Sequence, residues 1–106
     1  MKIPNRIKVA GHLILIKKSK MFKASPGVLG LAYMPGNQIH LSNTFDGESL
    51  PEATKSEVFL HEIIHHISDK YYVGLREKQV GQLASGLFQV IRDNKLDFRD
   101  RQDYNI

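Results

Sequence analysis

The chain has 106 residues, no cysteine, and 15 Lys/Arg against 11 Asp/Glu for a formal charge of +4. That length suits one domain with a modest hydrophobic core and room for a single site. The lack of cysteine excludes a disulfide scaffold and any thiolate metal site, so His, Asp and Glu are the strong ligands available.

Beginning at the N-terminus, MKIPNRIK lacks the apolar h-region of a signal peptide, and VAGHLILI, the most apolar early stretch, is far too short to span a bilayer. The expectation is a soluble cytoplasmic protein with no membrane partner. Residues 6–18, RIKVAGHLILIKK, are β-branched and aliphatic with Gly11 interrupting them, which predicts two short strands or one strand broken by a bulge. The lysine clusters nearby, in KIPNRIK and KKSKMFK, are read as solvating strand edges. No aromatic residues interleave them, which argues against nucleic acid as a partner. Pro26-Gly27 and Pro35-Gly36 are turn signals bracketing Val28 to Tyr33, and the second joins that segment to Gln38–Leu41 as a hairpin. Residues 1–48 therefore read as a three- to four-stranded, mostly antiparallel sheet with Gln38–Leu41 at its edge.

The polar stretch SNTFDGESLP at 42–51 marks a change of period. Pro51 suits a first helical turn and Glu52 sits where the helix dipole favours an acid, so a helix is expected from about 50 to 70. Tyr71 to Gly74 is a break. A second helix is expected from about Leu75 to Asn94, with Val80, Leu83, Ala84, Leu87, Phe88, Val90 and Ile91 forming one wide apolar face. Residues 95–106 read as a polar tail. The fold class is thus α+β: a sheet half (1–48), two helices (49–94) and the tail.

The first helix contains FLHEIIHHIS at 59–68. At 100° per residue, Phe59, Leu60, Ile63, Ile64 and Ile67 span one arc, while His61 and His65 lie together on nearly the opposite side. The i, i+4 spacing stacks the two rings on one surface, where two ring nitrogens can bind one cation. Glu62 points about a quarter-turn away, within reach of a water on that cation. A catalytic zinc site takes three protein ligands and keeps one position open. Glu77, on the same face as Ala84 and Phe88 at the margin of the apolar stripe, is the candidate third ligand. A carboxylate aimed at a helix interface costs several kcal/mol unless a cation pairs it, and Gly81, one turn on, allows close approach.

His61-Glu62-Ile63-Ile64-His65 resembles the HExxH signature of zincin metallopeptidases. The stretch Glu77 to Ala84, EKQVGQLA, resembles the ExxAxxFA-type helix of ImmA/IrrE-like metallopeptidases, with Val80 for Ala and Leu83 for Phe. An HExxH helix followed by a helix-borne Glu is the gluzincin arrangement, and the small size is similar to minimal gluzincins. The resemblance covers Glu57 to Asn94 well and the preceding sheet loosely. It implies one zinc per chain on His61, His65 and Glu77, with Glu62 as general base: zinc lowers the pKa of its water from about 15.7 toward 7, Glu62 takes the proton, and the hydroxide attacks a peptide carbonyl. The expected activity is that of a zinc metallopeptidase acting on a peptide or protein substrate. The alternative is a zinc-containing regulatory module recognising one repressor-type protein without general proteolysis.

Other polar residues take lesser roles. His66 sits about 100° from His65 and reads as a partly buried histidine rather than a ligand; His12 reads as surface. His40 and Gln38, on the expected edge strand, are candidate substrate-binding residues, because an extended peptide can add to such an edge. Tyr72, with Tyr71 and Arg76 in the inter-helix connection, is a candidate substrate-binding residue that would stabilise the oxyanion, packing and salt-bridging being the plainer reading. The carboxylate-rich tail, Asp97 to Tyr104, reads first as a frayed terminus; the alternative is that it reaches into its own cleft or a neighbour's and occupies the open zinc position, which would make the enzyme latent.

Overall fold

The computed structural model describes residues 2–19 and 28–98. Strands β1 (Arg6–Val9), β2 (His12–Ser19), β3 (Gly30–Tyr33) and β4 (Gln38–Ser42) form one sheet in the order β1-β2-β4-β3. A short hairpin, β5 (Thr44–Phe45) and β6 (Glu48–Ser49), leads into helices α1 (Glu52–Lys70) and α2 (Glu77–Asn94). The architecture is α+β, as expected.

Of the two options for residues 6–18, two strands form. Ala10 and Gly11 both adopt positive φ, 51° and 78°, which is the primed-turn geometry that matches the twist of an antiparallel pair. Asp46 and Gly47 repeat it at the β5–β6 turn with φ of 52° and 79°. The sheet is mostly antiparallel, but its central pair, β2 with β4, runs parallel, Ile16 lying opposite Ile39. That pairing overturns one expectation. β4 is an internal strand, held by β2 on one side and β3 on the other, and the edge is β3. The turn signal at Pro26-Gly27 lies outside the described residues.

Helix α1 is the central layer. On one side Phe59, Val58 and Ile63 pack on Val9, Ile14, Ile16, Ile39 and Leu41 of the sheet. On another side Leu60 and Ile64 meet Val80, Ala84 and Phe88 of α2, with Leu75 at the margin. The apolar arc read from the sequence is therefore split between two partners, and Ile67 is left partly exposed. Burying side chains of this size contributes about 1.5–3 kcal/mol each.

Two polar pins fix the layers. His66, fully buried, donates from Nε2 to the main-chain carbonyl of Gln38 at 2.8 Å, while Lys70 Nζ lies 3.2 Å from its Nδ1. Burial pushes this imidazole below its ordinary pKa, against the raising effect of the Gln38 hydrogen bond. At the end of α1, Ser68 Oγ accepts from the Leu75 N–H at 2.8 Å and the Ser68 carbonyl accepts from Val73 N–H at 2.9 Å. The Arg76 N–H then donates to the Gln79 side chain at 2.9 Å, setting the first turn of α2. Among the described residues no helix is long and apolar enough to cross a membrane.

Candidate metal centre

The α1–α2 connection sets the angle at which α2 begins, and Glu77 is its first helical residue. Its carboxylate bridges both imidazoles: Oε1 lies 2.7 Å from His61 Nε2 and Oε2 lies 2.7 Å from His65 Nε2. The two rings stand 5.0 Å apart, centroid to centroid, as one helical turn requires. One ligand atom from each of the three residues falls within 4.8 Å of the other two, so His61, His65 and Glu77 form a group that could hold a metal ion. Two imidazole nitrogens and a carboxylate oxygen are a donor set suited to first-row divalent cations.

Glu77 does not lie in the helix interface, as its place at the margin of the apolar stripe implied. The side chain is 72 % exposed, at the first residue of α2 and outside the apolar cluster that joins the two helices. What directs the carboxylate is its two imidazole partners. Burial alone pushes the Glu77 carboxyl up, but the hydrogen bonds and charges of His61 and His65 outweigh it and hold the group below its ordinary value. A Cβ at Gly81 would meet His61 Cε1 at 3.8 Å, an ordinary contact, so the glycine leaves space at the ring without being sterically required.

Glu62 is the buried acid of the site, only 6 % exposed. It lies under β3 and takes a hydrogen bond from the main chain of Ala32. Burial, then the nearby Glu77 charge, raise its pKa to about 7 against that hydrogen bond; a cation on the triad would act in the opposite direction. Gly30 is what allows this placement. A Cβ there would stand 2.7 Å from Glu62 Oε2 and 2.6 Å from Val58 Cγ1, closer than such atoms approach.

Strand β3 presents main-chain groups to the same place. The Ser42 N–H donates to the Leu29 carbonyl at 2.9 Å, so by antiparallel alternation Leu31 and Tyr33 also bond toward β4 while Gly30 and Ala32 face outward. Two clefts adjoin the triad along this edge. One, of about 330 Å³, is bounded by Val28, Val58, His61, Gly81 and Ser85; the other, of about 230 Å³, by Ala32, Met34 and His65. Gly30, Glu62 and Glu77 border both.

The sequence-level candidates thus separate. His61, Glu62, His65 and Glu77 come together. His40 and Gln38 do not join them: Ile39 and Leu41 turn toward α1, so their neighbours in the strand point to the opposite sheet face, where His40 Nε2 lies 2.8 Å from Gln38 Oε1. Tyr72 is 93 % exposed in the connection and borders neither cleft, as is true of Tyr71 and Arg76. His12 is exposed and His66 serves the α1–β4 pin. The tail segment, the alternative occupant of the open zinc position, lies largely outside the described residues, with Phe98 exposed at its margin. Gly30 and Ala32 were missed; the signal available was a glycine inside the apolar run VLGLAY, the mark of a close backbone approach. Comparison with protein-family models, curated proteins and solved structures finds no match for this chain.

Proposed function

We propose that the protein is a zinc-dependent peptidase, in keeping with the gluzincin resemblance of its two helices. The observation that carries this reading is the convergence of His61, His65 and Glu77 beside a buried carboxylate and an open strand edge. Each feature alone has a bland explanation; a solvated helix face does not also place an acid between a ligand set and outward main-chain groups. Zinc bound by the three residues supplies Lewis acidity and makes water a stronger acid near neutral pH.

The chain's own groups account for the rest. The outward N–H and C=O of Gly30 and the outward C=O of Ala32 pair with an extended peptide and hold it across the triad, while the Ala32 N–H is held by Glu62. The two clefts receive side chains on either side of the bond to be cut. Glu62 accepts a proton from the attacking water and delivers it to the leaving amine nitrogen, so the hydroxyl adds to the carbonyl carbon as the C–N bond breaks.

Glu62→Gln tests the reading. The variant keeps the shape and the three ligands but cannot accept a proton, so it is expected to retain one zinc per chain and lose about 10²–10⁴-fold in hydrolysis of denatured casein or mixed peptides. Cleavage at the parent rate eliminates Glu62 as the base. Zinc binding by the parent with no cleavage of any peptide favours instead a module dedicated to a single protein partner.

A further inference from the structure

Helix α1 covers one face of the sheet, and among the described residues no helix or strand covers the other. On that face Leu13 sits beside Lys8, Leu15 lies between Arg6 and Gln38 with Tyr33 beyond, and Lys17 is followed by His40 and Leu31. Leu13, Leu15, Leu31 and Tyr33 are each between 37 % and 48 % exposed. Isolated exposed leucines are ordinary, but four large apolar side chains on neighbouring positions of one sheet face form a patch.

The charge around the patch has one sign. The four strands of this sheet contain no Asp or Glu, and the first 45 residues of the chain carry seven Lys/Arg and no acid, the first carboxylate being Asp46. Arg6 and Lys8 line one side of the patch and Lys17 one end. All eleven acids lie in the remaining 61 residues. An apolar centre beside an acid-free basic rim is complementary to an apolar stripe flanked by carboxylates.

We propose that this open sheet face binds a partner protein through an amphipathic helix whose apolar stripe is bordered by Asp and Glu. The dimensions suit it: three strand spacings of about 4.8 Å give a platform about 15 Å wide, enough for one helix of about 10 Å diameter. A helix there completes on the second face the layer that α1 provides on the first. A single-stranded nucleic acid fits less well, because leucines offer no stacking surface and Tyr33 is the lone large aromatic of the patch. An anionic membrane fits less well too. Side chains lying half-exposed on a flat sheet do not protrude to insert as the apolar face of an interfacial helix does. The face lies opposite the metal centre, so the inference does not depend on the peptidase reading.

The test selects displayed random peptides of about 20 residues, about 30 Å as a helix, against the full chain at low salt. The expected outcome is enrichment of sequences with apolar residues at i, i+3 and i+4 flanked by Asp or Glu. Their binding should weaken about tenfold from roughly 0.05 to 0.3 M salt. Leu15→Glu is expected to weaken it by a further factor of about ten, and so is the doubly substituted Arg6→Glu/Lys8→Glu chain, whose changes lie on exposed positions that cannot disturb the core. Leu83→Glu, on α2, leaves binding unchanged. No enrichment, enrichment of basic or uncharged peptides, or binding indifferent to both face variants overturns the proposal. So does tighter, face-dependent binding of phosphatidylserine-containing vesicles, of oligo(dT), or of a second copy of the chain measured by sedimentation.

Discussion

Gly30 is the residue on which the position of Glu62 depends most directly. The carboxylate is lodged between β3 and α1, and a single methyl at position 30 would overlap both it and Val58. Adding volume to a closed contact shifts side chains and backbone at a cost of about 1–3 kcal/mol. Gly30→Ala is therefore expected to lower the urea midpoint and to reduce peptide hydrolysis at least about tenfold, while zinc stays at the parent stoichiometry because no ligand is touched. Metal analysis and steady-state kinetics on one preparation separate the two effects; full activity at full zinc would show that hydrolysis does not need Glu62 in its place under β3. His61→Ala makes the reverse cut. It removes one of three ligands, so metal content should fall well below one per chain, and retention of full zinc would remove His61 from the ligand set.

The elements were legible where their signals are local. HExxH was readable because four residues of helix fix the relation of two imidazoles, and α1 and α2 were readable from their apolar period and from the break at Tyr71–Gly74. Strand order was not, because β2 finds β4 only after the chain has passed through β3, a long-range choice that no window of sequence contains. That choice took the edge from Gln38–Ser42 and gave it to β3, while the alternation that buries Ile39 and Leu41 turned His40 and Gln38 to the far face. The joint between the helices is a further feature the period does not reveal: Ser68 accepts from the Leu75 N–H and so sets where α2 starts. Ser68→Ala leaves that N–H without its partner, with an expected loss of about 1 kcal/mol in stability. Because Glu77 is the first residue after this joint, zinc affinity should fall several-fold as well. Competition with a chelator reads it, and an unchanged affinity would mean that the imidazoles alone orient Glu77.

At the scale of the molecule, α2 packs mainly on α1 among the described residues, through one small apolar cluster and the Glu77 bridge. Glu77 meets the two imidazoles, but not through the burial that its place beside the apolar stripe suggested, since the carboxylate is largely exposed. What brings it there is the start of α2 beside the imidazole face of α1, a property of packing and not of any one segment. An exposed bridge is also weak without a cation, because charge pairs in water contribute on the order of 1 kcal/mol or less. A metal that binds both layers of the helical half in the folded state, and finds no preformed site in the unfolded chain, changes that balance. At free zinc about a hundred times its dissociation constant the stabilisation is about 2.7 kcal/mol. For a domain of this size that corresponds to a rise in Tm of roughly 10–20 °C. The sign follows from linkage: an ion held by the folded state alone raises Tm when added and lowers it when chelated, which is the outcome expected for zinc on the proposed reading. The same titration on His65→Ala should be nearly flat, as two ligands of three leave little differential affinity. A parent melting curve indifferent to zinc and to chelator would mean that the three side chains meet as a hydrogen-bonded cluster and not as a metal site.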